Sequence, residues 1–132
     1  MTRQIRLQVR WHDMDNYGHV NNAIYLNYLE ECRDRLFEDL FGGAQAWDFV
    51  LAHVGIDFRN QVTQSDGEVL VRCAVSGFGT SSVRTREVIE LPDGTVAAEA
   101  EAVIVPRASG EPRSRPLTEG ERRVLQAAID AG

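Results

Sequence analysis

A short segment of the chain, from Asp15 to Asn22, combines residue types that could carry out acyl transfer. The Asp15 carboxylate lies seven residues before the first turn of a predicted helix, where free backbone N–H groups attract negative charge. If Asn21 caps this helix with its side chain, the N–H groups of Asn22 and Ala23 could polarise an incoming carbonyl. Asp15 could then attack that carbonyl or activate a water molecule, while Gly18 would let the loop turn tightly.

Ordinary turn and capping chemistry uses the same residue types in the same kind of segment. Most residues from His12 to Asn22 are Asp, Asn or His, which is typical of a loop between a strand and a helix. Spacing alone therefore favours a structural role for Asp15 and leaves the catalytic role as the alternative.

The elements that would position this segment are a strand before it and a long helix after it. Apolar and polar residues alternate over 5–11, which predicts a half-buried strand. Over 22–41 the apolar residues recur at helical spacing, and two glycines follow, which predicts one helix with Asn21 as its N-cap. The charged residues of this helix, Arg33 among them, are predicted to face solvent.

The rest of the chain is predicted to form an antiparallel meander of four strands, a loop over 106–117 and a short C-terminal helix. Thr118 and Glu121 form a capping box that starts this helix, which runs to about Ile129. The fold class predicted is α+β, a single domain over residues 1–132 with a long helix against an antiparallel sheet of about five strands. The open sheet edges predict self-association. The four strands are predicted to include 54–58, 69–75, 82–91 and 95–105.

Composition excludes several classes of protein and of site. A net charge of −6 argues against a nucleic-acid-binding surface, and the lack of any lysine excludes Schiff-base chemistry. The two cysteines, Cys32 and Cys73, fit helical and strand periodicity and are predicted to be core residues, so we expect no metal site. No apolar run could span a membrane and no signal peptide begins the sequence, so we expect a cytoplasmic protein.

Residues 9–33 resemble the signature of the 4-hydroxybenzoyl-CoA thioesterase-like family, which has the hotdog fold. The family pattern is an aromatic residue, then D-x-D-x-x-G-x-V, then a helix start with aromatic residues that ends in Glu and Arg. The variant Gly-His-Val-Asn-Asn at 18–22 is closer to the long-chain acyl-CoA thioesterase branch. The matching positions are Trp11, Asp13, Asp15, Gly18, Val20, Tyr25, Tyr28, Glu30 or Glu31, and Arg33.

The resemblance implies hydrolysis of an acyl-CoA thioester to the free acid and CoA, without a metal or cofactor. Asp15 corresponds to the catalytic carboxylate, acting as nucleophile or general base, and the backbone N–H of Asn22 corresponds to the donor that polarises the thioester carbonyl. The family binds CoA at a dimer interface with the acyl chain beside the helix. The resemblance therefore predicts a homodimer, or two dimers paired as a homotetramer.

The resemblance also assigns expectations to further residues. Plant acyl-carrier-protein thioesterases, which are similar here, use a histidine four residues after the Asp, which is His19. They also carry Asn two residues after the Asp, where this chain has Tyr17, so His19 is expected either to assist catalysis or to hold the loop by a hydrogen bond. Asp13 is expected to brace the loop. The candidate substrate-binding residues are Tyr17, Gly18 and Tyr25 for the acyl group and Arg59, Arg84 and Arg86 for the CoA phosphates.

Two alternatives to a thioesterase remain open from the sequence. One is a hotdog protein that binds acyl-CoA without catalysis. The other is a hydratase-type hotdog enzyme, whose motif places His five residues after Asp with an Asn-Pro between them. Here His19 follows Asp15 by four residues, and no proline lies between them.

Overall fold

Alternating apolar side chains build one antiparallel sheet in the computed structural model, which describes residues 1–108 and 111–132. The strands are β1 (Thr2–Gln8), β2 (Phe49–Phe58), β3 (Glu68–Phe78), β4 (Val83–Glu90) and β5 (Val96–Pro106). Their order across the sheet is β1-β3-β4-β5-β2. All four pairings are antiparallel, so every neighbouring pair exchanges hydrogen bonds perpendicular to the strands.

One long helix and one short one cover the inner face of this sheet. Helix α1 runs over Asn22–Phe41, as predicted, and ends where Gly42 adopts a φ of 67°. Helix α3 runs over Glu119–Asp130 and begins with the predicted capping box of Thr118 and Glu121. A single turn, α2 (Gly43–Ala46), was not predicted. The predicted α+β arrangement of a long helix, a five-stranded antiparallel sheet and a C-terminal helix is confirmed.

The core lies between α1 and the inward side chains of the strands. Leu29, Cys32 and Leu36 of α1 are fully buried against Val71 and Ile89 of the sheet. Burial of such side chains contributes about 1.5–3 kcal/mol each, which fixes the helix across the strands. Both cysteines are buried core residues, as predicted. In the described part of the chain no helix is long and apolar enough to cross a membrane.

The prediction of a continuous four-strand meander is wrong at β2. Strands β3, β4 and β5 follow one another as hairpins, but β2 pairs with β5 at the far edge and not with β3. The reason is the connection over 59–67, which is held at the start of α1. There Val62 donates its N–H to the Tyr25 hydroxyl and accepts a hydrogen bond from the N–H of Val20.

The predicted boundary of the first strand is also wrong. The strand was predicted over 5–11 but ends at Gln8, and Trp11–Asp13 form a 3₁₀ turn with the Trp11 side chain exposed. The cause is the Asp13 carboxylate, which accepts the N–H of Arg10 at 2.9 Å and closes this turn. The predicted loop over 106–117 includes residues 109 and 110, which lie outside the described residues.

Candidate active site

The segment between β1 and α1 folds as a small antiparallel hairpin, here called the Asp15 hairpin (residues 13–21). The N–H of Asn21 donates to the carbonyl of Asp13 at 2.9 Å, and the N–H of Asp15 donates to the carbonyl of His19 at 2.8 Å. Between these bonds, Met14 and Val20 are bridged. At the tip, Gly18 adopts a φ of 84°, a left-handed conformation that favours glycine. The hairpin leads directly into the first turn of α1.

The Asp15 carboxylate has one oxygen occupied and one available. Its Oδ1 accepts the N–H of Tyr17 at 2.8 Å and the N–H of His19 at 3.4 Å. Its Oδ2 lies 3.4 Å from Nδ1 of His19, and the Asp15 side chain is 22% exposed. The Tyr17 ring stacks on the His19 ring at 6.3 Å and is 86% exposed. The hairpin thus gathers Asp15, Tyr17, Gly18 and His19 at one surface.

Of the two N–H groups that were predicted to face a ligand at the start of α1, the described residues leave only that of Asn22 without an acceptor. Asn21 caps the helix, because its Oδ1 accepts the N–H of Ala23 at 2.9 Å. The N–H of Ile24 donates to the carbonyl of Asn21. The expectation for Ala23 is therefore wrong, since the cap itself uses that donor. For the N–H of Asn22, the described residues provide no acceptor.

Asp13 is a fully buried carboxylate at the base of the Asp15 hairpin. Its Oδ2 accepts the Tyr28 hydroxyl at 2.6 Å and the N–H of Arg10 at 2.9 Å, and its Oδ1 lies 3.3 Å from the Arg10 guanidinium. Burial opposes the charge of Asp13, but the hydrogen bonds from Tyr28 and Arg10 outweigh it and hold the pKa below its ordinary value. Burial and the bond to Asp13 both raise the pKa of Tyr28.

The remaining predicted binding residues lie outside the hairpin. Tyr25 is buried, and its hydroxyl donates to the carbonyl of Asn60 at 3.1 Å. Arg59 is exposed and forms an ion pair with Glu99 at 3.0 Å. Arg84 and Arg86 occupy the exposed positions of β4, on the sheet face opposite α1. The fold therefore places Arg84 and Arg86 away from the start of α1, whereas Arg59 begins the connection that is held there.

A buried ion pair between α1 and β4 was missed by the sequence reasoning. Arg33, predicted to face solvent, is buried because its guanidinium donates to both carboxylate oxygens of Glu87, each at 2.7 Å. Burial opposes the charge of Arg33, but Glu87 outweighs it and raises the pKa. A signal was present in the sequence, because Glu87 occupies an inward position in the alternation of β4.

Neither cysteine has the environment of a nucleophile. Burial and, to a smaller extent, the nearby charge of Glu87 raise the pKa of the Cys32 thiol to about 11. The same two causes raise the pKa of the Cys73 thiol even more. Among the described residues, no three side chains of His, Cys, Asp or Glu are grouped so that they could hold a metal ion.

A cavity of about 460 Å³ lies between α1 and β2. Its carboxylates, from Glu30, Asp34 and Glu38, belong to α1, and Arg33 also contributes to the lining. Within one chain Asp15 is not among the residues that line this cavity, and Glu30, the lining residue closest to the helix start, lies eight residues beyond Asn22, or about 12 Å along the helix. The apolar part of the lining consists of Phe37, Trp47, Phe49, Leu51 and Ile104.

Comparison with known proteins gives consistent matches over most of the chain. The model of the thioesterase-like superfamily matches residues 9–125. FadM of Escherichia coli strain K12, a long-chain acyl-CoA thioesterase, is 33% identical over 101 residues, which cover 74% of this chain and 76% of FadM. A thioesterase from Thermus thermophilus, crystallised with coenzyme A and Zn, is 31% identical with a TM-score of 0.86, covering 97% of this chain and 94% of that chain. YbaW of Escherichia coli, a probable thioesterase, is 27% identical with a TM-score of 0.79, covering 96% and 98%.

Proposed function

Because the chain belongs to the thioesterase-like superfamily, we propose that it hydrolyses acyl-CoA thioesters to the free acid and CoA. The observation that carries the proposal is the position of the Asp15 carboxylate, on a hairpin that leads directly into the first turn of α1. That first turn presents the N–H of Asn22, for which the described residues provide no acceptor. The acyl-CoA thioesterase activity of FadM and the coenzyme A bound to the Thermus thioesterase support the choice of acyl-CoA as substrate.

In the proposed reaction the thioester carbonyl oxygen accepts a hydrogen bond from the N–H of Asn22. This donor and the positive end of α1 stabilise the negative charge that develops on the oxygen. Asp15 acts through Oδ2, because Oδ1 is already hydrogen-bonded within the hairpin. Oδ2 either attacks the carbonyl carbon or takes a proton from a water that attacks it. The C–S bond then breaks, and CoA leaves as a thiolate that is protonated by solvent. In the nucleophilic route the acyl group is then held on Asp15 as a mixed anhydride, which water hydrolyses to release the acid and restore the carboxylate. In the general-base route the acid forms directly, and Asp15 passes its proton to solvent.

His19 is assigned a supporting role in this scheme. Its Nδ1 lies 3.4 Å from Oδ2 of Asp15, close enough to orient the carboxylate or a water beside it. Tyr17 and Gly18 share the same surface, so they are proposed to contact the thioester and its pantetheine arm.

We further propose that the active enzyme is a homodimer formed through the open edge of β2. This strand ends the sheet, and its Leu51 and Phe58 side chains are 46% and 45% exposed. Antiparallel pairing of two β2 strands about their midpoint would set Phe58 of one copy beside Phe49 of the other. Because Phe58 packs against Tyr25 in the first turn of α1, the helix start of one copy would then lie next to the apolar part of the other copy's cavity. That cavity is proposed to hold the acyl chain.

The experiment that tests the function is measurement of thiol release from a panel of aromatic, short-chain and long-chain acyl-CoAs. Catalytic turnover of at least one substrate class is expected, and the order of the turnover rates across the panel identifies the preferred acyl group. Binding of acyl-CoA with no thiol release would instead identify a non-catalytic binding protein, and water addition to an enoyl-CoA would identify a hydratase. A single turnover in heavy-oxygen water tests the nucleophilic role, since label in the Asp15 carboxylate demands a covalent anhydride.

A further inference from the structure

A buried tyrosine–carboxylate pair joins the Asp15 hairpin to the second turn of α1. The Tyr28 hydroxyl donates to Oδ2 of Asp13 at 2.6 Å, and both side chains are buried. This distance is that of a strong hydrogen bond between a neutral hydroxyl and a charged carboxylate. Asp13 is fully buried and this bond occupies the Tyr28 hydroxyl, so neither polar group of the pair is free to bind a substrate.

Asp13 fixes three parts of the chain at one point. Its carboxylate accepts the N–H of Arg10, which precedes the hairpin, and its carbonyl accepts the N–H of Asn21, which ends it. Among the described residues, the Tyr28 hydroxyl makes the only side-chain hydrogen bond between Asp13 and α1. Without that bond the hairpin would be joined to the helix through the chain at Asn21 and through Val62, which accepts the N–H of Val20 and donates to the Tyr25 hydroxyl.

We propose that Asp13 and Tyr28 are positioning residues, which set the distance between the Asp15 carboxylate and the N–H of Asn22. This inference rests on the proposed function of Asp15. Asp15 is two residues from Asp13 along the hairpin, and Asn22 is six residues before Tyr28 along α1. The hydrogen bond between Asp13 and Tyr28 therefore closes a loop of chain that contains both the Asp15 carboxylate and the N–H of Asn22. A displacement of about 1 Å in such an arrangement can cost about a hundredfold in rate.

Tyr28→Phe is the decisive variant, because it removes one oxygen and leaves the buried ring in place. We expect kcat on the best acyl-CoA substrate to fall about 10- to 100-fold, with KM changed less than about threefold, because the chemical step loses its geometry while the CoA contacts remain. Amide hydrogen exchange at Asp15 should also become faster, since its bond to His19 lies within the loosened hairpin.

Thr118→Ala is the matched control, because it removes the cap of α3 far from the hairpin and lowers stability without touching the site. It should lower the melting temperature and leave kcat unchanged. A kcat for Tyr28→Phe that equals that of the wild type, with only a lower melting temperature, would show that the pair is merely structural and would overturn the inference.

The double variant Asp13→Asn/Tyr28→Phe provides a second test. If the two residues act through their shared hydrogen bond, the double variant should lose no more activity than the more impaired single variant. Multiplicative losses would contradict the inference. A wild-type protein that hydrolyses no acyl-CoA would instead contradict the proposed function, so the two failures are distinguishable.

Discussion

Arg33 on α1 and Glu87 on β4 meet side-on, with Nε donating to Oε2 and Nη2 donating to Oε1, both at 2.7 Å. Thr85 donates its hydroxyl to the same carboxylate at 2.7 Å, so Glu87 is held by three strong bonds inside the core. Two buried ions cost desolvation free energy, which only such complete pairing offsets. The pair therefore fixes where α1 crosses the sheet.

Breaking this pair should cost far more stability than replacing it. Glu87→Ala leaves the Arg33 guanidinium buried without a counter-charge, and we expect a loss of about 3–5 kcal/mol in the free energy of unfolding measured in urea. Arg33→Met/Glu87→Met removes both charges and should lose much less. Arg35→Met, at an exposed position of the same helix, serves as the control and should change stability by less than about 0.5 kcal/mol. Equal losses in the single and double variants would contradict this account.

Glu121 should make stability depend on pH in the acid range. Hydrogen bonds from Arg115 outweigh the effect of burial and, with the N–H of Thr118, lower the pKa of Glu121 to about 2 from an ordinary value of 4.5. Because the folded-state pKa is depressed, the stabilisation is complete above pH 4.5 and is lost as the pH falls toward 2. The difference in melting temperature between the wild type and Glu121→Gln should shrink over that interval, and a constant difference would be the contrary result.

Gly18→Ala should impair the hairpin by backbone strain alone. An added Cβ meets no atom within 4 Å, but the φ of 84° is unfavourable for alanine by about 1 kcal/mol or more. Because relief of this strain would move the neighbouring His19 and Asp15, we expect kcat to fall. Gly94→Ala, with a φ of 89° and equally open space in the β4–β5 hairpin, should lose similar stability and keep full activity. Equal kcat values for the two variants would exclude a role for the hairpin tip.

The proposed dimer predicts that a charge at the edge of β2 separates the subunits. Leu51→Asp places a carboxylate on the exposed apolar edge, beside the acidic residues of the cavity. The molar mass measured by light scattering after gel filtration should fall from that of a dimer to that of a monomer, and thiol release should fall as well. Ala127→Asp, at an exposed position on α3, should remain dimeric. A monomeric and fully active wild type would contradict the interface.

Local signals predicted the elements that depend on local interactions. The bounds of α1 match the prediction because helical periodicity, the Asn21 cap and Gly42 all lie in one stretch of sequence. The capping box of Thr118 and Glu121 matches for the same reason. The α+β hotdog arrangement followed from these elements together with the resemblance of residues 9–33.

Features that depend on contacts between residues far apart in the sequence could not be predicted from local patterns. The burial of Arg33 depends on Glu87, which lies 54 residues away, and the pairing of β2 with β5 depends on a crossing connection. Within the candidate site, the Asn21 cap of α1 was predicted, and the structure places His19 beside Asp15. The loss of the Ala23 donor was not predicted, because only the geometry of the Asn21 side chain shows which N–H it takes.

The most direct test of the account is the kcat of Asp15→Asn on the acyl-CoA that the wild type hydrolyses best. Asparagine can still accept the N–H of Tyr17 and keep the hairpin folded, but its amide can act neither as nucleophile nor as general base. We predict that kcat falls about a thousandfold while the melting temperature and KM stay close to those of the wild type. A folded Asp15→Asn variant with near-normal kcat would show that Asp15 is not the catalytic carboxylate.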